Sequence, residues 1–255
     1  MKLSRHHKSA WLATLGYVVV LELLLVAAIL YWPTFREDTG ALRVLSKPIP
    51  ILNDMIQEIE DAGAIAYVLG QHFFKGCNVL GCAAAVLFAA GAVAGEAHRG
   101  TLEIYLARPV SRRRLLLERW GLGALQVTLP VVLTTLTIPL LMAEVDEAAA
   151  YGPLLWCAAH QCLMLLAIYA PTYLLSTLGR MPMKIVFVVL LLSIFQFAIY
   201  MVKTVTHYSL FRLVDIPTFR EVYEGAGPHW TWLPFLVVIL GCLGASLAVF
   251  ERRVP

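Results

Sequence analysis

Six apolar runs of 18 to 25 residues, nearly free of charge, decide what this chain can fold into: residues 10–32, 76–95, 120–143, 154–178, 185–202 and 231–250. A helix rises 1.5 Å per residue, so about 20 apolar residues match the hydrocarbon thickness of a bilayer. In hydrocarbon every backbone N–H and C=O needs a partner within the protein, and a continuous helix provides one within each segment. The pattern therefore predicts an all-α integral membrane protein, with six transmembrane helices in a single domain over residues 1–255. Composition agrees. Only 15% of the residues are charged and mean hydropathy is +0.75, against about 25% charged residues in soluble domains. A net charge of +3 is too small for a broad nucleic-acid footprint.

Five cysteines, Cys77, Cys82, Cys157, Cys162 and Cys242, all fall inside apolar runs. They read as small buried hydrophobes rather than metal ligands or disulfide partners. The N-terminus begins like a signal peptide, but its apolar core is too long and no small-x-small cleavage site follows, so it is expected to remain as the first span. Lysine and arginine set the sidedness. With a cytoplasmic N-terminus, 13 basic residues fall in inner segments and 7 in outer ones, and the outer stretch 144–153 has none. Both termini are thus expected in the cytoplasm, for a multi-pass protein of the cell membrane, the inner membrane of a bacterium.

Two outer loops are expected to be long, 33–75 and 204–230. In the first, Ile51, Met55, Ile56 and Ile59 share one helical face and Asn53, Asp54, Glu58 and Asp61 surround the other. That is an amphipathic helix lying on the outer membrane surface or on the bundle. The second carries Tyr208, Phe211, Phe219, Tyr223 and Trp230, with Trp232 just beyond it. These suit an interfacial or re-entrant segment, and anchoring at headgroup level is the simpler reading.

The inner loop after the second span reads GEAHRGTLEIYLARPVSRRR, residues 95–114, and six arginines lie between Arg99 and Arg119. Thr101 can cap a short helix with Glu103 in its first turn, where the helix dipole favours an acid. Leu102, Tyr105 and Leu106 give that helix an apolar side. Pro109 stops it, because the residue before a proline avoids helical angles. Ser111 is then placed to cap the helix leading into the third span. A topology signal would explain the arginines, but it needs neither the glycine nor the proline turn.

In order along this loop stand Gly95, Glu96, Gly100, Thr101, Leu102, Glu103, Leu106, Arg108, Pro109, Val110, Ser111 and Arg112. Over about two dozen residues the segment resembles the loop after the second span in membrane subunits of ABC-2-type transporters. The usual form there is G-E-x-x-x-G-T-L-E, then a leucine, R-P-V-S-R and a leucine-rich helix. The six spans and the basic tail FERRVP also resemble that family. Many relatives begin with a longer amphipathic elbow helix, whereas this chain offers only MKLSRHHKSAW before its first span.

The resemblance implies a permease subunit of an ATP-driven exporter that performs no chemistry and binds no cofactor directly. Two copies, or one copy and a paralogue, would form a pathway and dock on two cytoplasmic ABC ATPase subunits, which hold the ATP and magnesium. The short inner helix would be the coupling helix, with residues 96–114 as the contact. The chain has no G-x-x-x-x-G-K-[ST] loop of its own. Coupling specifies the engine and not the cargo, so a non-transporting subunit of an ATPase-linked assembly or force-transmitting complex fits the same residues.

Several polar residues lie within the spans. Glu22 sits about 18 Å into the first, where an acid costs about 2.5–3.5 kcal/mol on insertion scales. It is either a pathway contact or a buried structural hydrogen bond, for which Gln196 of the fifth span lies at a matching depth. His160, Gln161 and Gln126 read as helix–helix contacts or, alternatively, as pathway groups. Gly91 and Gly95 form a small-xxx-small pair that permits close helix approach. Pro130, Pro139 and Pro171 are expected to kink their helices. Enzyme chemistry finds no footing, since H-E-x-x-H is absent and Ser246 has no evident base. A channel would need a stripe of charge along a span, and none shows one.

Overall fold

The computed structural model describes residues 5–46, 48–102 and 111–252. Among these there is no strand. Helix α1 runs Arg5–Glu37, α2 Thr39–Ser46 and α3 Pro50–Val68. A π-helical segment, Leu69–Cys77, joins α3 to α4, Asn78–Ala92, and a short α5 follows at Ala94–His98. Then come α6 (Arg112–Ala143), α7 (Tyr151–Leu178) and α8 (Pro182–Tyr200). Two 3-10 turns at Thr206–Tyr208 and Leu210–Val214 lead to α9 (Ile216–Gly225) and α10 (Trp232–Glu251). Six helical runs are long and apolar enough to cross a membrane.

The second run is longer than hydropathy suggested. It extends from Pro50 to Ala92, so most of the expected outer loop 33–75 is helical. Gln71, His72 and Lys75 interrupt the apolar pattern in sequence but not in space. Lys75 Nζ donates to Gln71 Oε1 at 3.3 Å, and His72 is buried. Gly63, at φ 67° and ψ −147°, breaks α3. Before the break Ile51, Ile56 and Ile59 are buried, and after it Ala64, Ala66, Tyr67 and Val68 are. The amphipathic helix thus lies on the bundle, where Ile51 and Ile59 join the main core.

Helix α7 is the centre. It packs on α4, α6 and α10 along its length, and reaches α5 at one end and α9 at the other. Half of its most apolar stretch is buried within the chain, against 11% for α8. Helix α1 lies mainly on α6 and α8 mainly on α4, so their outer sides are apolar and uncovered, as spans facing lipid or another chain require.

The bundle has two unlike ends. At the basic end Arg113 pairs with Glu251, and Arg112 Nη1 donates to the Glu251 carbonyl at 3.2 Å. At the capped end Arg220 reaches Glu58 at 2.8 Å and Lys203 reaches Asp54 at 2.7 Å. There too, Trp32 Nε1 donates to Glu147 at 3.0 Å. The segment 204–230 divides. Tyr208 and Trp230 are 71% exposed, as interfacial anchors would be, but Phe211 and Phe219 are buried in the core with Val214, Ile216 and Val222.

Close helix approach occurs away from the Gly91/Gly95 pair. A Cβ at Gly91 would meet nothing within 4 Å, whereas one at Gly123 would lie 2.2 Å from the Tyr169 hydroxyl and 2.9 Å from its ring. Tyr169 is fully buried and its hydroxyl donates to the Trp120 carbonyl at 3.3 Å, so it has little room to yield. Gly123→Ala should therefore destabilise the bundle by about 1–3 kcal/mol, the usual cost of overpacking. Thermal unfolding in detergent reads this out, and an unchanged midpoint would refute the contact.

Candidate functional site

The inner-loop motif is first of all a helix stop. Gly100 takes φ 69°, a conformation that costs an L-residue about 1–2 kcal/mol and glycine almost nothing. Its N–H donates to the Ala97 carbonyl at 3.2 Å, and the Thr101 N–H donates to the Glu96 carbonyl at 3.0 Å. This crossed pair is a Schellman termination with Gly100 one residue past the cap. The Thr101 hydroxyl then donates to the Glu96 carboxylate, which also accepts from Arg99 Nη2 at 3.1 Å. Thr101 thus closes the turn, and helical backbone resumes at Leu102 directly after it, where a cap at Thr101 was expected. Burial alone would raise the Glu96 pKa. The Thr101 hydrogen bond and the charges of Arg119 and Arg99 outweigh it and hold the carboxyl below its ordinary value. Leu102, next in line, is buried in the main core.

Above this stop, α4 ends at a break. Val93 sits at φ −119° and ψ −53°. The amides of Val93 and Ala94 donate to Ser176 Oγ of α7 at 3.2 and 2.9 Å, and the same hydroxyl donates to the Ala90 carbonyl at 2.9 Å. A hydroxyl offers one proton and two lone pairs, and Ser176 uses them all. Arg119 of α6 donates to the Ala92 carbonyl at 2.7 Å. One turn before Ser176, the Tyr173 hydroxyl donates to the Leu116 carbonyl at 2.8 Å.

The far side of the loop is fastened as well. Ser111, with extended backbone, caps α6 by accepting from the Arg114 amide at 3.3 Å. Arg114 pairs with Glu118 at 2.8 Å one turn on. Arg112 and Arg113 hold Glu251, tying the start of α6 to the end of α10. Of the other loop positions expected to act, Glu103, Leu106, Arg108, Pro109 and Val110 lie outside the described residues.

The intramembrane polar residues disperse rather than converge. Glu22, half-buried on α1, accepts from Thr137 of α6 at 3.1 Å. The Glu22–Gln196 bond that their matching depth allowed is not formed, because they lie on different sides of the bundle core. Gln196 instead accepts from the Leu210 amide at 3.1 Å and stays on α8 near the capped end. His160 is buried, donating through Nε2 to the Leu213 carbonyl at 2.7 Å while Nδ1 accepts from Trp232 Nε1 at 3.0 Å. Both of its nitrogens are thus taken by protein groups. Gln126 is buried on α6. Among the described residues no group of three or more His, Cys, Asp or Glu could hold a metal ion.

Sequence reasoning missed His72, whose Nε2 lies 3.4 and 3.5 Å from the hydroxyls of Thr134 and Thr135. It also missed the pairing of Gln161 Nε2 with Asn78 Oδ1 at 2.8 Å, together with Ser176 and Tyr173. The π-helix around His72 was the available structural oddity, and its sequence carries no mark of it. The site that does assemble is mechanical. A preshaped stop and a capped helix start flank residues 103–110 at the basic end, both bonded to α7 or α10.

A protein-family model described as "ABC-2 family transporter protein" matches residues 12–253. No curated protein matches the chain.

The stop predicts its own behaviour. Gly100→Ala should strain the turn by roughly 1 kcal/mol and speed tryptic cleavage after Arg99 in detergent. Glu96 contributes fully above the ordinary carboxylate range, and its contribution is lost only as pH falls through its lowered value. Cleavage of the wild type should thus be alike at neutral and mildly acid pH, and Glu96→Gln should be cut faster at both. Equal cleavage of Glu96→Gln and wild type would remove the carboxylate from the turn.

Proposed function

Since the chain belongs to the ABC-2 transporter family, we propose that it is the membrane-spanning permease subunit of an ATP-driven exporter. The basic end faces the cytoplasm and residues 96–114 contact a separate ABC ATPase. The observation that carries this reading is the Schellman stop at Gly100, followed eight undescribed residues later by the Ser111 cap. Together they fix the two ends between which residues 103–110 run, and fixed ends are what a docking element needs. Leu102, buried among core residues, seats the base of the segment. The positive-inside distribution supports the sidedness.

In the assembly, two ATPase subunits bind ATP and magnesium, and a second permease copy or a paralogue completes the pathway. Closure of the ATPases on ATP displaces the 96–114 segment, and the spans exchange between two arrangements. Glu22 belongs to this picture as a pathway-facing acid. It is half-exposed on the flank of α1, with the Thr137 hydroxyl as its partner, and a carboxyl at this depth is costly against lipid.

Capture of the tagged protein from its native membranes in gentle detergent tests the reading. A Walker-type ATPase should be recovered in stoichiometric amount, and lost when residues 101–112 are scrambled. Alanine at Glu103 or Arg108 should reduce its recovery while leaving insertion intact. A correctly inserted protein that brings down no ATPase under several mild conditions would overturn the proposal. Glu22→Gln should recover the ATPase normally and change ATP turnover of the complex. Unchanged turnover would return Glu22 to a structural role.

A further inference from the structure

Helix α7 makes a second use of the hydroxyls that line one of its faces. Ser176 holds the chain where it enters the 96–114 segment, through the amides of Val93 and Ala94. Tyr173, one turn away, holds it where it leaves, through the Leu116 carbonyl. Tyr169 adds a third bond one turn further on, to the Trp120 carbonyl. All three residues are buried. At its other end the same helix is fixed to the cap by His160, which engages Leu213 and Trp232, and by Cys157, whose Sγ lies 3.6 Å from the Phe219 carbonyl. Its 28 residues span about 42 Å, the whole height of the bundle.

We propose that α7 is the lever that carries displacement of the 96–114 segment to the capped end, with Ser176 and Tyr173 as its joints to that segment. The inference rests on the coupling reading above and deepens it. At each joint a side chain replaces a contact that the broken or separate helices do not make for themselves. At Val93 the helical ladder is interrupted, and Ser176 takes the two amides that the break releases, beside Arg119 on the Ala92 carbonyl. At Leu116 the ladder of α6 is intact, and the Tyr173 hydroxyl bonds the second lone pair of a carbonyl that already serves its helix. Both ends of the displaced segment are thereby tied to one continuous helix. A rod fixed at both ends moves the cap when the loop moves.

The test uses the purified permease–ATPase complex in lipid nanodiscs, with hydrogen–deuterium exchange compared between the nucleotide-free state and ATP plus vanadate. In the wild type, exchange should change both in 94–101 and across the bilayer in 204–231. Ser176→Ala and Tyr173→Phe should keep the ATPase and the response at 94–101, and lose roughly tenfold of the response at 204–231, the scale of one buried hydrogen bond left unmade. Ser176→Thr, which keeps the hydroxyl, should restore it, a rescue that a purely packing role would not show. Should Ser176→Ala not fold, Tyr173→Phe, which keeps its ring, carries the test alone. Full response at 204–231 in the folded variants would overturn the lever while leaving the coupling reading in place. A wild-type complex that shows no nucleotide response at 94–101 would overturn both.

Discussion

Buried backbone groups released by a broken helix cannot be left unpaired without cost, and α7 supplies the partners of those at Val93 and Ala94. An unmade buried hydrogen bond costs about 1–3 kcal/mol, several times the net gain from a typical made one. Every interruption of a span is therefore expensive unless a neighbouring helix repairs it. The break at Val93 is repaired by Ser176 and Arg119. That repair is what allows the second span to end abruptly in a turn of fixed shape. Without it the break would leave the Val93 and Ala94 amides buried and unpaired.

The same helix carries a row of buried polar side chains. Gln161, Tyr169, Tyr173 and Ser176 fall at intervals of eight, four and three residues, which places them on one face. They meet Asn78, Trp120, Leu116 and the Val93 break in turn. Apolar contact gives no orientation in a membrane, where lipid is as good a neighbour as leucine. Directional bonds along one face of α7 set how α4 and α6 sit around it. Gly123 lets α6 come close enough for the Tyr169 bond to form.

Much of this was legible in sequence. Length and hydropathy located six spans, and Ser111 stood where an α6 cap was expected. Amphipathic spacing found a helix at Ile51–Ile59 that the structure places on the bundle. The failures have a common physical origin. Hydropathy scores residues one at a time, so Gln71, His72 and Lys75 ended the second span early, although the helix continues through them, with His72 buried and Lys75 bonded to Gln71. Depth along a span fixes height but not azimuth, so Glu22 was matched with Gln196 when its partner is Thr137. Ser176 in YLLSTLG looks like any small residue in an apolar run, and only the neighbouring break gives it work. The motif GEAHRGT resembles the family's loop, and the structure adds that its glycine and threonine close the stop of α5.

Residues 94–101 hold their shape by bonds among themselves, with Glu96 taking both Thr101 and Arg99. Residues 111–119 are held by the Ser111 cap and by Glu251 of α10. The two flanks of the loop are therefore separately stiff and separately anchored, one to α7 and the other to α7 and α10. A force applied between them is divided in unlike proportion. The buried hydroxyl joints are shielded from water, whereas the Arg113–Glu251 pair is exposed, and exposed pairs contribute about 0–1 kcal/mol and weaken with salt. Under the lever proposal, the exposed tie to α10 is the one that yields first, and α7, not the last span, is the element that follows the loop.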